Sequence, residues 1–255
     1  MLDYLIYRGG VLPPLNCALR YVLAGNGLLL QAWREHINVL VVLASYTVRG
    51  LPPLEPYLST DLPRISPELL RQMLEICHKQ RDEKGEMLEV IFHFLVEGGK
   101  WRMVVPEQEQ GHTYCRPVGR GEESYRQALL EIHSHHHFPA YFSETDDLDE
   151  QGGFRFLGVI GDLFDKPQIR LRLGIYGHFI PLPATFLLAL PEGLEDALSG
   201  ENVNLPVNRP GSVGNAVTNR LWPIQRWSKI WKGWTGSGKG QRCYEVRTGG
   251  ADDAL

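Results

Sequence analysis

The chain has 255 residues, 43% of them hydrophobic, and a formal net charge of −4. That is enough apolar material for one sizeable core or for a domain with a smaller appendage, and nothing in the overall charge points to nucleic acid. Cys17, Cys77, Cys115 and Cys243 are scattered without a C-x-x-C pair, which excludes a disulfide framework and a cysteine zinc site and fits a reducing compartment. The opening Met1-Leu2-Asp3-Tyr4 has no basic or apolar leader pattern, and the longest apolar run, residues 37–44, is too short to span a bilayer. The expected location is the cytoplasm.

Residues 1–58 alternate apolar segments (4–7, 21–23, 28–30 and 37–42) with turn formers, Arg8-Gly9-Gly10 and Ala24-Gly25-Asn26-Gly27. They predict a small strand-rich N-terminal subdomain with Asn26-Gly27 as a hairpin turn. The proline-rich stretch 50–56 reads as a linker to a second domain over residues 59–205. There, Ser66-Pro67-Glu68 opens a helix, with Ser66 as N-cap, Pro67 at the first helical position and Leu70, Met73, Leu74 and Cys77 as its buried stripe.

Residues 86–96 form a β-branched and aromatic run, 97–100 a turn and 101–105 a partner strand. His93 shares a strand face with Glu89 and Ile91 and reads as a satisfied core histidine. Tyr125, Ala128, Leu129 and Ile132 fit a helical period as well as a strand. Two further strands are expected at 154–160 and 168–176. In the second, Ile169, Leu171, Leu173 and Ile175 alternate with Arg170, Arg172 and Gly174, giving one buried face and one basic face read as solvated. Beyond residue 205, a basic tail places Ile224, Trp227, Trp231 and Trp234 on one helical face, with Arg226, Lys229 and Lys232 mostly off it. Such a segment docks on protein, lies on an anionic membrane or stacks on nucleic acid, and docking is the simplest of these uses.

The chemistry concentrates in His133-Ser134-His135, followed after seven residues by Ser143 and after two more by Asp146. Two imidazoles and a carboxylate form the protein ligand set of a catalytic zinc, with a further position left open for water. On a strand from about Leu129, His133 and His135 share a face while Ser134 points away. Ser143-Glu144-Thr145-Asp146 reads as a capping box opening a short helix, whose first-turn carboxylate can swing back toward the strand. A solvated histidine tract would carry no such Ser-x-x-Asp element. His136 and His137 are alternative ligands, and Asp147 competes with Asp146.

The order H-x-H-x7-S-x2-D resembles the signature of the JAMM, or MPN+ or JAB, metalloproteases, which cut peptide and isopeptide bonds beside the C-termini of ubiquitin-like proteins. The resemblance implies an α/β fold of JAB/MPN type, a cytidine-deaminase-like mixed sheet flanked by helices. It also implies Zn2+ on His133, His135 and Asp146, with Ser143 steadying the oxyanion. It calls for a glutamate base on a strand well before the histidines, and position favours Glu89, with Glu86 second. His136 stands where the family often has proline, and the glycine-containing sequence that follows the family's glutamate is missing. The N-terminal Tyr-Arg-Gly-Gly and Leu-Ala-Gly-Asn-Gly elements and Arg-Gly-Leu-Pro resemble the JAB proteins of bacterial PRTRC cassettes. That likeness implies a ubiquitin-like protein substrate and a ThiF-like activating enzyme as partners. The alternative is a non-catalytic JAB-fold scaffold in a plasmid or mobile-element complex.

Overall fold

The computed structural model describes residues 2–119, 123–199 and 207–208, within one compact unit, Met1–Ser212. The Trp-rich stretch 221–234, with the rest of the expected tail from 209 onward, lies outside the described residues. Among the described residues, no helix is long and apolar enough to cross a membrane.

Two large sheets make the body. The first holds β1 (Leu2–Ile6), β2 (Leu19–Ala24), β3 (Gly27–Arg34), β4 (Ile37–Ser45) and β5 (Tyr57–Thr60) in that spatial order. The pairs β2–β3, β3–β4 and β4–β5 are antiparallel, while β1 pairs with β2 in parallel. The tight turn falls on Gly25-Asn26 rather than Asn26-Gly27, because Ala24 pairs with Gly27. Asn26 is occupied elsewhere: its side chain donates to Leu54 O (3.0 Å) and accepts from Leu54 N (2.9 Å). The proline stretch is therefore tied to that turn. It packs on the hairpin tip so closely that a Cβ on Gly25 would meet Leu51 O at 2.3 Å, and it leads straight back into β5 of the same sheet. The boundary expected at residue 58 falls inside β5.

Helix α1 (Pro67–Lys79) starts as its capping signal requires, with Ser66 Oγ accepting from Leu69 N, and it buries Leu70, Met73 and Cys77. The second sheet then forms from β6 (Ile91–Glu97) and β7 (Lys100–Val104), joined through Gly98 and Gly99, both at positive φ. A small hairpin follows, β8 (Gln108–Gln110) with β9 (Cys115–Pro117), and then short helix α2 (Glu123–Gln127) and strand β10 (Leu130–Ser134). The ambiguous stretch thus divides into a helix that ends at Gln127 and a strand that begins at Leu130.

Short helix α3 (Glu144–Asp149), β11 (Phe154–Gly161), β12 (Gln168–Ile175), β13 (His178–Leu182) and the two-residue strands β14 (Glu195–Asp196) and β15 (Val207–Asn208) complete the order. The second sheet runs β13-β12-β11-β10-β6-β7, with β14 beside β12, while β15 returns to pair with β5 of the first sheet. Within the second sheet β10 and β11 are parallel, so its pairing is mixed. Described helices are few, and only α1 is long.

The two faces of the second sheet differ in chemistry. Phe92, Phe94, Leu130, Ile132, Phe156, Leu171 and Leu173 belong to one core cluster with α1 and with Leu30, Val39 and Val41 of the first sheet. Burying those side chains is the main driving force holding the layers together, at about 25 cal/mol per Å² of apolar surface. Strand alternation places His93, Glu131, His133, Arg155 and Arg172 on the other face. All five are buried, so the basic face of β12 is not solvated around Arg172: α2 and α3 supply partners for these charges. Arg34 ties the layers together by donating to Phe154 O (2.6 Å), Arg126 O (3.0 Å) and Gln127 O (3.3 Å).

Candidate metal centre

Strand β10 serves two masters by alternation. Ser134 faces the core, where its Oγ accepts from Val90 N at 3.0 Å while its own N–H donates to Val90 O at 3.0 Å. His133, and His135 one residue past the end of the strand, face the other way, with ring centroids 5.1 Å apart. His135 Nδ1 lies 3.3 Å from Pro139 O, so a proton on Nδ1 leaves Nε2 free as a ligand atom. Burial, only partly offset by Asp146, pulls the His133 imidazole down to about 4, which keeps it neutral at pH 7. His135 is lowered as well, again chiefly by burial.

Asp146 arrives on α3 through the expected capping box. Its N–H donates to Ser143 Oγ (3.2 Å), and its Oδ2 accepts from Ser143 N (2.6 Å) and from the Ser143 hydroxyl (2.8 Å). With Oδ2 so held, Oδ1 lies 3.5 Å from His133 Nε2. One ligand atom from each of His133, His135 and Asp146 lies within 4.8 Å of the others. His133 Nε2 is buried with no hydrogen-bond partner. A neutral imidazole with an orphaned nitrogen, a second imidazole and an oriented carboxylate fit a divalent zinc ion.

The other candidates stand apart from that group. His136 is buried and its Nε2 also lacks a hydrogen-bond partner, but it does not belong to the group whose ligand atoms converge within 4.8 Å. His137 stacks on Phe164 (4.9 Å). Asp147 is turned to Arg172, at 2.5 Å. Glu86 is exposed in a turn, whereas Glu89 is buried and lines a cavity of about 520 Å³ together with His133, His135, Ser143 and Asp146. Burial, with the Asp146 carboxylate second, pushes the Glu89 carboxyl up to about 8.

Glu89 precedes the strand rather than starting it. Its N–H donates to Gly111 O (2.9 Å) and its carbonyl accepts from Gln110 Nε2 (2.7 Å), which draws the chain out of the ladder and onto the β8–β9 hairpin. Gln80, the C-cap of α1, donates in turn to Gln110 Oε1 (2.8 Å).

Several residues of the cavity escaped the sequence reading. Glu131 stands two residues before His133 on the same strand, so period-two alternation alone puts it on the histidine face. Burial works against its charge, but the hydrogen bond from His93 and the Arg155 guanidinium (Nη1 to Oε2, 3.0 Å) prevail and hold it below the usual carboxylate range. His93 is accordingly a partnered core residue, with Nδ1 3.0 Å from Ser124 Oγ and Nε2 3.3 Å from Glu131. Tyr114, Phe138 and Tyr141 give the cavity an aromatic rim.

Residues 66–173, from the N-cap of α1 into β12, match the family model described as prokaryotic homologs of the JAB domain. That segment is thus similar to a prokaryotic JAB domain. The matched segment contains α1, Glu89 and the whole His133, His135 and Asp146 group, and its mixed α/β architecture is compatible with that family. No curated protein matches the chain.

Proposed function

We propose that this JAB-like domain is a zinc-dependent peptidase or isopeptidase acting on a ubiquitin-like protein or its conjugates. The observation that carries the reading is the convergence of His133, His135 and Asp146 ligand atoms within 4.8 Å, in a cavity that Glu89 also lines. His133, His135 and Asp146 would hold the ion. When bound, zinc supplies Lewis acidity, bringing the pKa of a water toward about 7 and polarising a carbonyl.

The remaining work falls to side chains. Glu89 takes a proton from the attacking water and passes it to the leaving amine, a task suited to a carboxyl pushed toward neutrality. Ser143 orients Asp146 through Oδ2, and its hydroxyl, turned from that contact, donates to the developing oxyanion. The aromatic rim of Tyr114, Phe138 and Tyr141 covers the backbone of an extended peptide and limits the access of bulk water.

The N-terminal Tyr-Arg-Gly-Gly and Leu-Ala-Gly-Asn-Gly elements support a narrower assignment, to PRTRC system protein A, with the small ubiquitin-like protein of that cassette as substrate and its ThiF-like enzyme as a partner. The test is zinc content together with cleavage of a fusion to that ubiquitin-like protein. Wild type is expected to bind one zinc and cut, His135→Ala to lose the metal, and Glu89→Ala to keep the metal but lose cleavage. Specific metal without cleavage of any ubiquitin-like fusion would favour a scaffold, and no specific metal would end the zinc reading.

A further inference from the structure

Helix α3 carries Asp146 yet has only six residues and buries none of them. An isolated helix of that length does not hold itself together in water. An exposed pair, Arg116 of β9 with Asp149 at 3.5 Å, touches it, and its buried anchor is Arg172 of β12, whose side chain is 8% exposed. Nη1 contacts Asp147 Oδ1 at 2.5 Å, and Nε, at 3.2 Å, and Nη2 both reach Glu150 Oε2, so the guanidinium forks across one residue of the helix, Asp147, and its C-cap, Glu150. The same guanidinium lies 3.7 Å from the ring centroids of both Phe142 and Phe179. Phe142 immediately precedes the Ser143 N-cap and meets the His133 ring edge-on, at 6.4 Å.

This arrangement answers a question that the sequence leaves open, namely which of two adjacent aspartates faces the histidines. We propose that Arg172 is a positioning residue that, by engaging Asp147 and Glu150 between two aromatic rings, fixes the rotation of α3 so that Asp146 and not Asp147 meets His133 and His135. The proposal rests on the zinc-site reading above. The Arg172 and Glu150 side chains are buried while Asp147 is half-exposed. A largely buried ion cluster of this kind adds little net stability compared with an apolar replacement, so its use is specification of geometry. Lysine cannot replace it, having neither the planar fork nor the flat face that stacks.

The experiment measures zinc affinity by chelator competition, and the visible absorption spectrum of the cobalt-substituted full-length protein, for wild type, Arg172→Met and Arg172→Lys. Two controls accompany them: Leu70→Ala, which destabilises the core at α1, and Arg102→Met, which removes an exposed arginine paired with Glu97. Loss of an outer partner of a metal ligand costs about 10- to 100-fold in affinity. Both Arg172 variants are therefore expected to lose affinity in that range and to show an altered cobalt spectrum, while both controls bind as wild type does. Wild-type affinity and spectrum in folded Arg172→Met or Arg172→Lys would overturn the proposal while leaving the zinc site standing. Equal losses in Leu70→Ala would overturn it too, by assigning the effect to general destabilisation. Should neither Arg172 variant fold, Asp147→Asn reads the same clamp from the helix side, and unchanged cobalt coordination there refutes it. Absence of metal from wild type would instead refute the site reading itself.

Discussion

Ser134 sits between the two histidines in sequence but serves the opposite face of the sheet, and that separation can be tested. The residue is fully buried, and its Oγ is the acceptor for Val90 N at 3.0 Å, one residue after Glu89. Ser134→Ala leaves that buried amide without a partner, since Val90 is itself 1% exposed. An unsatisfied buried donor costs about 1–3 kcal/mol, and removing the buried hydroxyl recovers only part of its own desolvation, so a net loss of about 2 kcal/mol is expected. With a urea slope of about 2–3 kcal/mol per M for a protein of this size, the unfolding midpoint falls by roughly 0.7–1 M at unchanged slope. Zinc stoichiometry should stay as in wild type, because His133 and His135 project from the other side of the strand. A midpoint within about 0.2 M of wild type would refute the reasoning, and loss of zinc from a folded Ser134→Ala would refute the division of faces.

Gly25→Ala should destabilise by about 1–3 kcal/mol in the same assay, because its Cβ would lie 2.3 Å from Leu51 O and the proline segment must move; a neutral result would mean that this segment is not docked on the turn. Burial pushes the Cys77 thiol up to about 12 from an ordinary 9.0. The folded chain then keeps a proton that the unfolded chain loses, so stability is fully present below pH 9 and falls above it by up to about 1.4 kcal/mol per pH unit until the folded value is reached. Urea titrations from pH 8 to 11 should show this slope reduced in Cys77→Ala, and thiol reagents should leave Cys77 unmodified in the native protein. Zinc at about 100 times its dissociation constant should stabilise wild type by about 2.7 kcal/mol, read as a rise in Tm over the chelated protein, with no rise in His135→Ala.

The convergence of His133, His135 and Asp146 was legible because each member obeys a local rule. His133 and His135, two residues apart, keep the alternation of β10 through its end at Ser134, and Ser143 with Asp146 makes a capping box whether or not a metal is near. Helix α1 and the β6–β7 hairpin were legible for the same reason, through Ser66-Pro67 and Gly98-Gly99. Reading failed where a side chain's partner lies far along the chain. Alternation in β12 separates Leu171 from Arg172 correctly, yet it cannot say whether the arginine meets water or a helix 22 to 25 residues earlier. Asn26-Gly27 is a sound hairpin signal, but the turn moved back one residue, and Asn26 spends both side-chain groups on the Leu54 backbone. Glu89 was placed by position alone, while the contacts that take it off the ladder come from Gly111 and Gln110 on a separate hairpin.

The division has a physical basis in how such a site is built. Ligand identity is set within one strand and one helical turn, where sequence spacing and geometry are nearly the same thing. The setting of the helix that carries Asp146 depends on Arg172 of β12, and the path of the chain at Glu89 on Gln110 of β8, and no periodicity encodes those contacts. The same division predicts where substitutions diverge: changes at His133, His135 or Asp146 are expected to remove the metal outright, changes at Arg172 to leave all three in place but degrade the aim of Asp146, and changes at Gln110 to disturb Glu89 alone. Measuring metal affinity and turnover separately on the two sets is what tells a lost ligand from a misdirected one.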